Sequence, residues 1–309
     1  LHRLIRRQRQ MCIRDRRKLE RYSLGQLFKE IRTDRGLRIS DIARPLNIST
    51  VSKFENGRTE ISAENLFTLL HNVCVEPAEF FELFEKKNQF KTSDVDLSQQ
   101  DFNQKLLQLS LQKNIGQLYQ LKQELIQEFS KTHNILFKLR SIMVTAVKLD
   151  IEDGAECFSK QDSETVMNYL MKRTSWYSLE YILYIDCIPF LESKYFEKLF
   201  EKLLTIHFAL KQKNGQQDLF FQALYNTAAM FYYQSDYERA LITLTQLQMH
   251  GLPDDHFYIR IQAELLRRRC QVKLKNCNSD QDELEQLIHV LTIISPAFGK
   301  KWEEEFSHR

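Results

Sequence analysis

Glycine and proline are scarce, at 8 and 5 residues in a chain of 309. Sandwiches and barrels need such turn residues in quantity, and no apolar/polar alternation flanked by turns occurs. Extended β architectures are therefore excluded, and the expected class is all-α. Six cysteines, Cys12, Cys74, Cys157, Cys187, Cys270 and Cys277, never form a CxxC pair. They are expected to be reduced thiols of a cytoplasmic protein, with no metal site. No run of ~18 apolar residues is present, so no membrane span is expected. GxSxG, HExxH and Gly-rich phosphate loops are missing too, which argues against an enzyme and against a bound cofactor. The stretch His250-Gly251-Leu252-Pro253-Asp254-Asp255-His256 gathers two imidazoles and two carboxylates, but around glycine and proline it reads as a connection between helices.

What is abundant is leucine-rich amphipathic sequence, 43% hydrophobic overall, enough for at least one sizeable core in a chain whose length suggests two domains. Charge is unevenly placed. Residues 1–21 carry eight Arg and one Lys against one Asp and one Glu, a net +7 in a chain whose total is +3. A basic arm for DNA and a transit peptide are both conceivable. Met11-Cys12-Ile13-Arg14-Asp15-Arg16, however, resembles translated sequencing-adapter sequence, so this leader is expected to be non-native and is given no function. Residues 22–58 hold seven Lys/Arg against four Asp/Glu, and residues 59–90 two against six.

The informative stretch is 24–57. Leu24, Leu27, Phe28 and Ile31 repeat at the spacing of one buried helical face, and Gly36 stops that helix. Ser40 is expected to cap a second helix carrying Ile42, Ala43 and Leu46, closed early by Pro45. A turn at Asn47 and Ile48 leads into a third helix, Ser49 to Asn56, capped by Ser49 or Asn47. Val51 and Phe54 should point inward there, with Ser49, Thr50, Ser52 and Lys53 outside. Two short helices joined by so tight a turn make a helix-turn-helix, whose second helix offers its first side chains to base edges.

Asp41-Ile42-Ala43 followed by Ser49-x-x-Ser52-Lys53-Phe54-Glu55-Asn56-Gly57, with Arg32 and Arg35-Gly36 before them, resembles the phage-repressor-like or XRE helix-turn-helix family. The resemblance implies a structural ion pair between Arg32 and Glu55. It implies phosphate contacts from Arg32, Arg38, Asn56 and Arg58, and base reading by Ser49, Thr50 and Lys53 in double-stranded operator DNA. Ser62 then caps a fourth helix with Leu66, Phe67, Leu69 and Leu70. Pro77 opens a fifth with Phe80, Phe81 and Phe84. The expected lambda-repressor-like DNA-binding domain is 22–88, and 89–100 is its linker.

From 101 to 309 an α-solenoid of paired helices is expected. Leu118, Leu121, Leu125 and Phe129 mark one helix, and Asn114 and Gly116 break the pattern before a coiled coil can accumulate. In residues 223–248, Ala228, Phe231, the Ser235-Asp236-Tyr237 turn, Ala240, Leu244 and Leu247 follow the tetratricopeptide order. Such a pair must be stacked on neighbours, for which Trp176–Leu204 (split by Pro189) and Phe257–Leu274 are candidates. Gln281–Ile294 should be the closing helix. Asn226 sits where this repeat family often grips a peptide backbone, an amide supplying both donor and acceptor. Gln222 and Tyr233 share its face, and Tyr232 does not.

The two halves together, with Trp176-Tyr177-Ser178-Leu179-Glu180-Tyr181, resemble the Rgg/GadR/MutR transcriptional regulators of streptococci and relatives. That resemblance implies a cytoplasmic homodimer that regulates transcription and responds to a short hydrophobic peptide. A protein-interaction scaffold, or a peptide-independent stress regulator of the same architecture, remains the alternative.

Overall fold

The computed structural model describes residues 22–88, 98–152, 156–210, 217–275 and 278–307. The basic leader, Cys12, Cys277 and residues 89–97 of the expected linker lie outside these. Every described element is a helix, and no strand occurs among the described residues. The chain divides into two compact units, up to Thr92 and from Ser93 on.

In the first unit α1 is Leu24–Asp34, α2 Ile39–Ile42, α3 Ile48–Glu55, α4 Ala63–Asn72 and α5 Pro77–Asn88. A reciprocal capping box starts α1: the Ser23 hydroxyl accepts from the Gln26 N–H, and the Gln26 side chain accepts from the Ser23 N–H. Gly36 (φ +67°) and Gly57 (φ +66°) follow α1 and α3 in the left-handed region, where other residues would be strained. Leu27, Phe28, Ile42, Val51, Phe54, Leu66, Leu69, Leu70 and Phe80 close one core.

Three local expectations are corrected. Helix α2 starts two residues earlier than Ser40 would set it, because the Asp41 carboxylate accepts from the Arg38 N–H and makes Arg38 the N-cap. It also ends at Ile42, before Pro45 can act. Phe67 and Phe81, named with the apolar residues that mark the fourth and fifth helices, are exposed.

The second unit runs α6 Gln99–Leu111, α7 Ile115–Thr132, α8 Ile135–Glu152, α9 Lys160–Met171, α10 Ser178–Cys187, a 3₁₀ turn Ile188–Phe190, α11 Ser193–Leu210, α12 Gln217–Tyr233, α13 Tyr237–Met249, α14 Phe257–Lys275, α15 Asn278–Ile294 and α16 Pro296–Ser307. Helix α6 takes in Gln99 and Gln100, which composition assigned to the linker. Ser98 sets its start by accepting from the Asp101 N–H.

Alternate helices form a row, α8 on α10, α10 on α12 and α12 on α14. Helix α7 pairs with α8, and α13 packs between α12 and α14. The pairing of α12 with α13 follows from residue size: Ala228 and Ala240 are fully buried, so the helices approach closely, and Phe231 fills the space beside them against Phe196 and Phe200. The turn between them holds Ser235 at φ +62°, and Asp236 caps α13 by accepting from the Arg239 N–H.

The Trp176–Tyr181 segment is structural. Trp176 is fully buried against the rings of Tyr181 and Tyr184, and Glu180 accepts from both the Tyr177 N–H and the Tyr169 hydroxyl. The expected closing helix, α15, is not the last. Helix α16 follows it, with Trp302 buried against Leu265, Leu284, Ile288 and Leu291. That packing could not be read from sequence, because α16 offers few apolar residues of its own.

Candidate functional site

Helix α3 is held from behind and open in front. Behind it, Gly25 of α1 meets the Phe54 backbone so closely that a Cβ there would overlap the Phe54 carbonyl oxygen. Val51 and Phe54 fill the core. Arg32 donates from Nε to Glu55 Oε1 (2.6 Å) and from Nη2 to Oε2 (2.8 Å), a bidentate pair with both side chains buried. Its remaining nitrogen Nη1 donates to the Leu37 carbonyl (2.5 Å). The hydrogen bond to Glu55 raises the Arg32 pKa, against the effect of burial. The Arg32 guanidinium, given both an ion-pair and a phosphate role by resemblance, ties α1 to α3 and to the following turn through these three bonds.

In front, Ser49 and Lys53 are exposed, and Thr50 and Ser52 are half-buried. Ser49, Thr50 and Lys53 make no side-chain hydrogen bond among the described residues. Arg58 is likewise exposed, one residue past the glycine that ends α3. Arg38 is exposed but bent onto Asp41. The Arg38 N–H, more than its guanidinium, holds the Asp41 carboxyl below its ordinary pKa.

Asn56 donates to the Ser52 carbonyl (2.7 Å) and accepts from Lys29 Nζ (3.1 Å). Its amide is thus an internal clasp as much as an outward group. Lys29, absent from the sequence-based set, is brought to the end of α3 by that contact. The only hint in sequence was its exposed position on the first helix.

In the second unit, Gln222 Nε2 donates to Asn226 Oδ1 (2.8 Å), one turn along α12, and both are half-buried. Tyr233, two turns further, is exposed, while Tyr232 is buried. The Tyr184 hydroxyl meets Thr227 Oγ1 at 2.7 Å in the buried seam between α10 and α12. Asp186, on α10 in the same row, has its carboxyl pushed up to about 7, chiefly by burial and then by the Asp150 charge.

The first two turns of α12 (Asp218, Leu219, Gln222) and residues 255–259 border a shallow cavity. His256 lies 3.5 Å from Asp218 there, while burial lowers the His250 pKa. Among the described residues no group of three or more His, Cys, Asp or Glu side chains could hold a metal ion. No described helix is long and apolar enough to cross a membrane.

Comparison with known proteins places both units. Residues 28–78 match the family described as helix-turn-helix. Residues 113–297, more than half of the chain, match the family described as HTH-type transcriptional regulator Rgg, C-terminal domain. Among solved structures, the Streptococcus dysgalactiae SHP pheromone receptor Rgg2 is 19% identical, with a TM-score of 0.74 over 93% of this chain and 99% of that one. PrgX in its complex with cCF10 gives 14% and 0.70 over 93% and 99%. Bacillus thuringiensis PlcR, in complex with the peptide PapR7 and DNA, gives 16% and 0.60 over 94% and 100%. At such identities these structures speak for the fold. On the match over residues 113–297, the chain belongs to the Rgg family of helix-turn-helix transcriptional regulators.

Proposed function

We propose that this regulator binds operator DNA through the outer face of α3, and that the α12 face at Gln222 and Asn226 receives a short hydrophobic peptide that alters operator binding or transcription. The observation that carries the DNA half is the division of labour on α3: its rear is locked by Arg32–Glu55 and Gly25, while Ser49, Thr50 and Lys53 have no partner of their own. Side chains presented in that way suit base edges, with Arg58, Arg38 and Asn56 toward phosphates.

One helix-turn-helix covers one half-site, so a homodimer suits two half-sites spaced about 34–36 Å apart. For the peptide half, a half-buried pair of amides can exchange its mutual hydrogen bond for a peptide backbone. Relatives of the same fold include a pheromone receptor and complexes with peptides. Peptide controls DNA only if it binds two arrangements of the protein with different affinity, a coupling typically of about 1–3 kcal/mol.

The experiment is a gel shift on the region upstream of the protein's own gene, with and without peptides captured from spent medium on the purified protein. Peptide should change operator affinity or transcription, and Asn226→Ala should reduce that change while leaving peptide-free affinity intact. A variant that responds normally, or that loses DNA binding without peptide, would place the sensing site elsewhere.

A further inference from the structure

The start of α3 carries two side chains whose placement the fold itself does not require. Asn47 stands at the N-cap with φ −79° and ψ 144°, where an asparagine amide ordinarily accepts from the helix's first N–H groups. It makes no such bond, and no other side-chain partner is found for it among the described residues. The Thr50 N–H turns instead to the Asn47 backbone carbonyl (2.9 Å), which also accepts the Val51 N–H (3.2 Å) as at any helix start, so the helix begins without the amide's help. Ile48, the first helical residue, is 55% exposed, whereas Val51 one turn on is fully buried. A branched aliphatic side chain left in water at that position gains nothing from the core. An amide with unspent donor and acceptor therefore stands beside exposed methyl groups, at the end of a recognition helix that reaches base edges.

The chemistry of the two groups is complementary to one kind of base pair. In the major groove adenine presents N7 as acceptor and N6 as donor, the pair that an asparagine amide matches in two hydrogen bonds. Thymine presents a C5 methyl that apolar side chains contact. G·C pairs offer no methyl, and they separate donor and acceptor between the two bases. We infer that Asn47 and Ile48 are specificity-determining residues that read A·T pairs, Asn47 through adenine N6 and N7 and Ile48 through the thymine methyl. This rests on α3 being the DNA-reading helix.

The test is selection of the full-length protein on a random duplex library, followed by affinity measurement on the selected sequence. The wild type should fix at least one A·T column in each half-site. Ile48→Ala should relax the thymine preference and Asn47→Ala the adenine preference, with the other columns kept. Ile48→Val, which retains methyl groups, should keep the column. Replacing that thymine by deoxyuridine should weaken the wild type severalfold and leave Ile48→Ala indifferent. Replacing the adenine by 7-deazaadenine should do the same for the wild type and Asn47→Ala. Fixed columns without A·T, or variants that select as the wild type does, would overturn the assignment. Should a variant fail to fold, the modified bases decide on the wild type alone, and unchanged affinity for both overturns it. Failure to select any sequence would count against DNA binding by α3 itself, a separate outcome.

Discussion

The outer face of α3 and the half-buried amide row of α12 are both polar, yet they are prepared for ligands in opposite ways. On α3, Ser49, Thr50 and Lys53 have no internal partner, and rigidity comes from the rear. On α12, Gln222 and Asn226 already satisfy one another. A duplex meeting α3 finds groups that need only shed water, and charge then dominates through counterion release. A peptide meeting α12 must exchange one hydrogen bond for another, a net gain of only about 0.5–1.5 kcal/mol per bond. Affinity for a peptide must then come from the apolar surface it covers.

The largest expected effect breaks the rear of α3. Arg32→Ala or Glu55→Ala leaves a buried charge unpaired, a loss of about 3–5 kcal/mol in the first unit, whereas the double variant should lose less. Thermal melts of the three proteins check this, and additive shifts would mean that the pair is not coupled. Gly25→Ala comes next, because the Cβ would displace the Phe54 backbone rather than a flexible side chain. Overpacking of that kind costs about 1–3 kcal/mol, and a variant as stable as the wild type would refute the close approach.

The front of α3 should behave differently, with binding lost and stability kept. Lys53→Ala is expected to weaken the cognate operator by about 1–3 kcal/mol with little change on random DNA. Arg58→Ala should weaken all sequences alike and reduce the salt slope by about one unit. Equal losses from both on specific and random DNA would erase the distinction between base and phosphate contacts.

An effect that depends on pH is expected in the row that includes α12. Asp186 holds its proton more tightly in the fold, at about 7, well above the ordinary carboxylate range. Its stabilising contribution is thus complete below about pH 4 and declines as pH rises through about 7, where ionisation charges a half-buried site. Asp186→Asn should melt higher than the wild type at pH 8 and alike near pH 4. A gain that is independent of pH would exclude titration as its source.

The sequence by itself determined the helical class, the helix-turn-helix and the α12–α13 pair. Each is encoded by local rules: apolar spacing at 3.6 residues per turn, a glycine after α1 and after α3, small residues where two helices touch. Sequence spacing also put Gln222, Asn226 and Tyr233 on one side of α12, since a helix fixes angles between its residues. Tertiary structure decided what those side chains are already bonded to. It spent Arg32 on Glu55 and Leu37, turned Asn56 toward Ser52 and Lys29, and left Asn47 uncapping. It also left Phe67 exposed and recruited α16 through Trp302. A hydrogen bond between residues 23 or 27 positions apart leaves no periodic trace, because its partners meet only once the helices between them have packed.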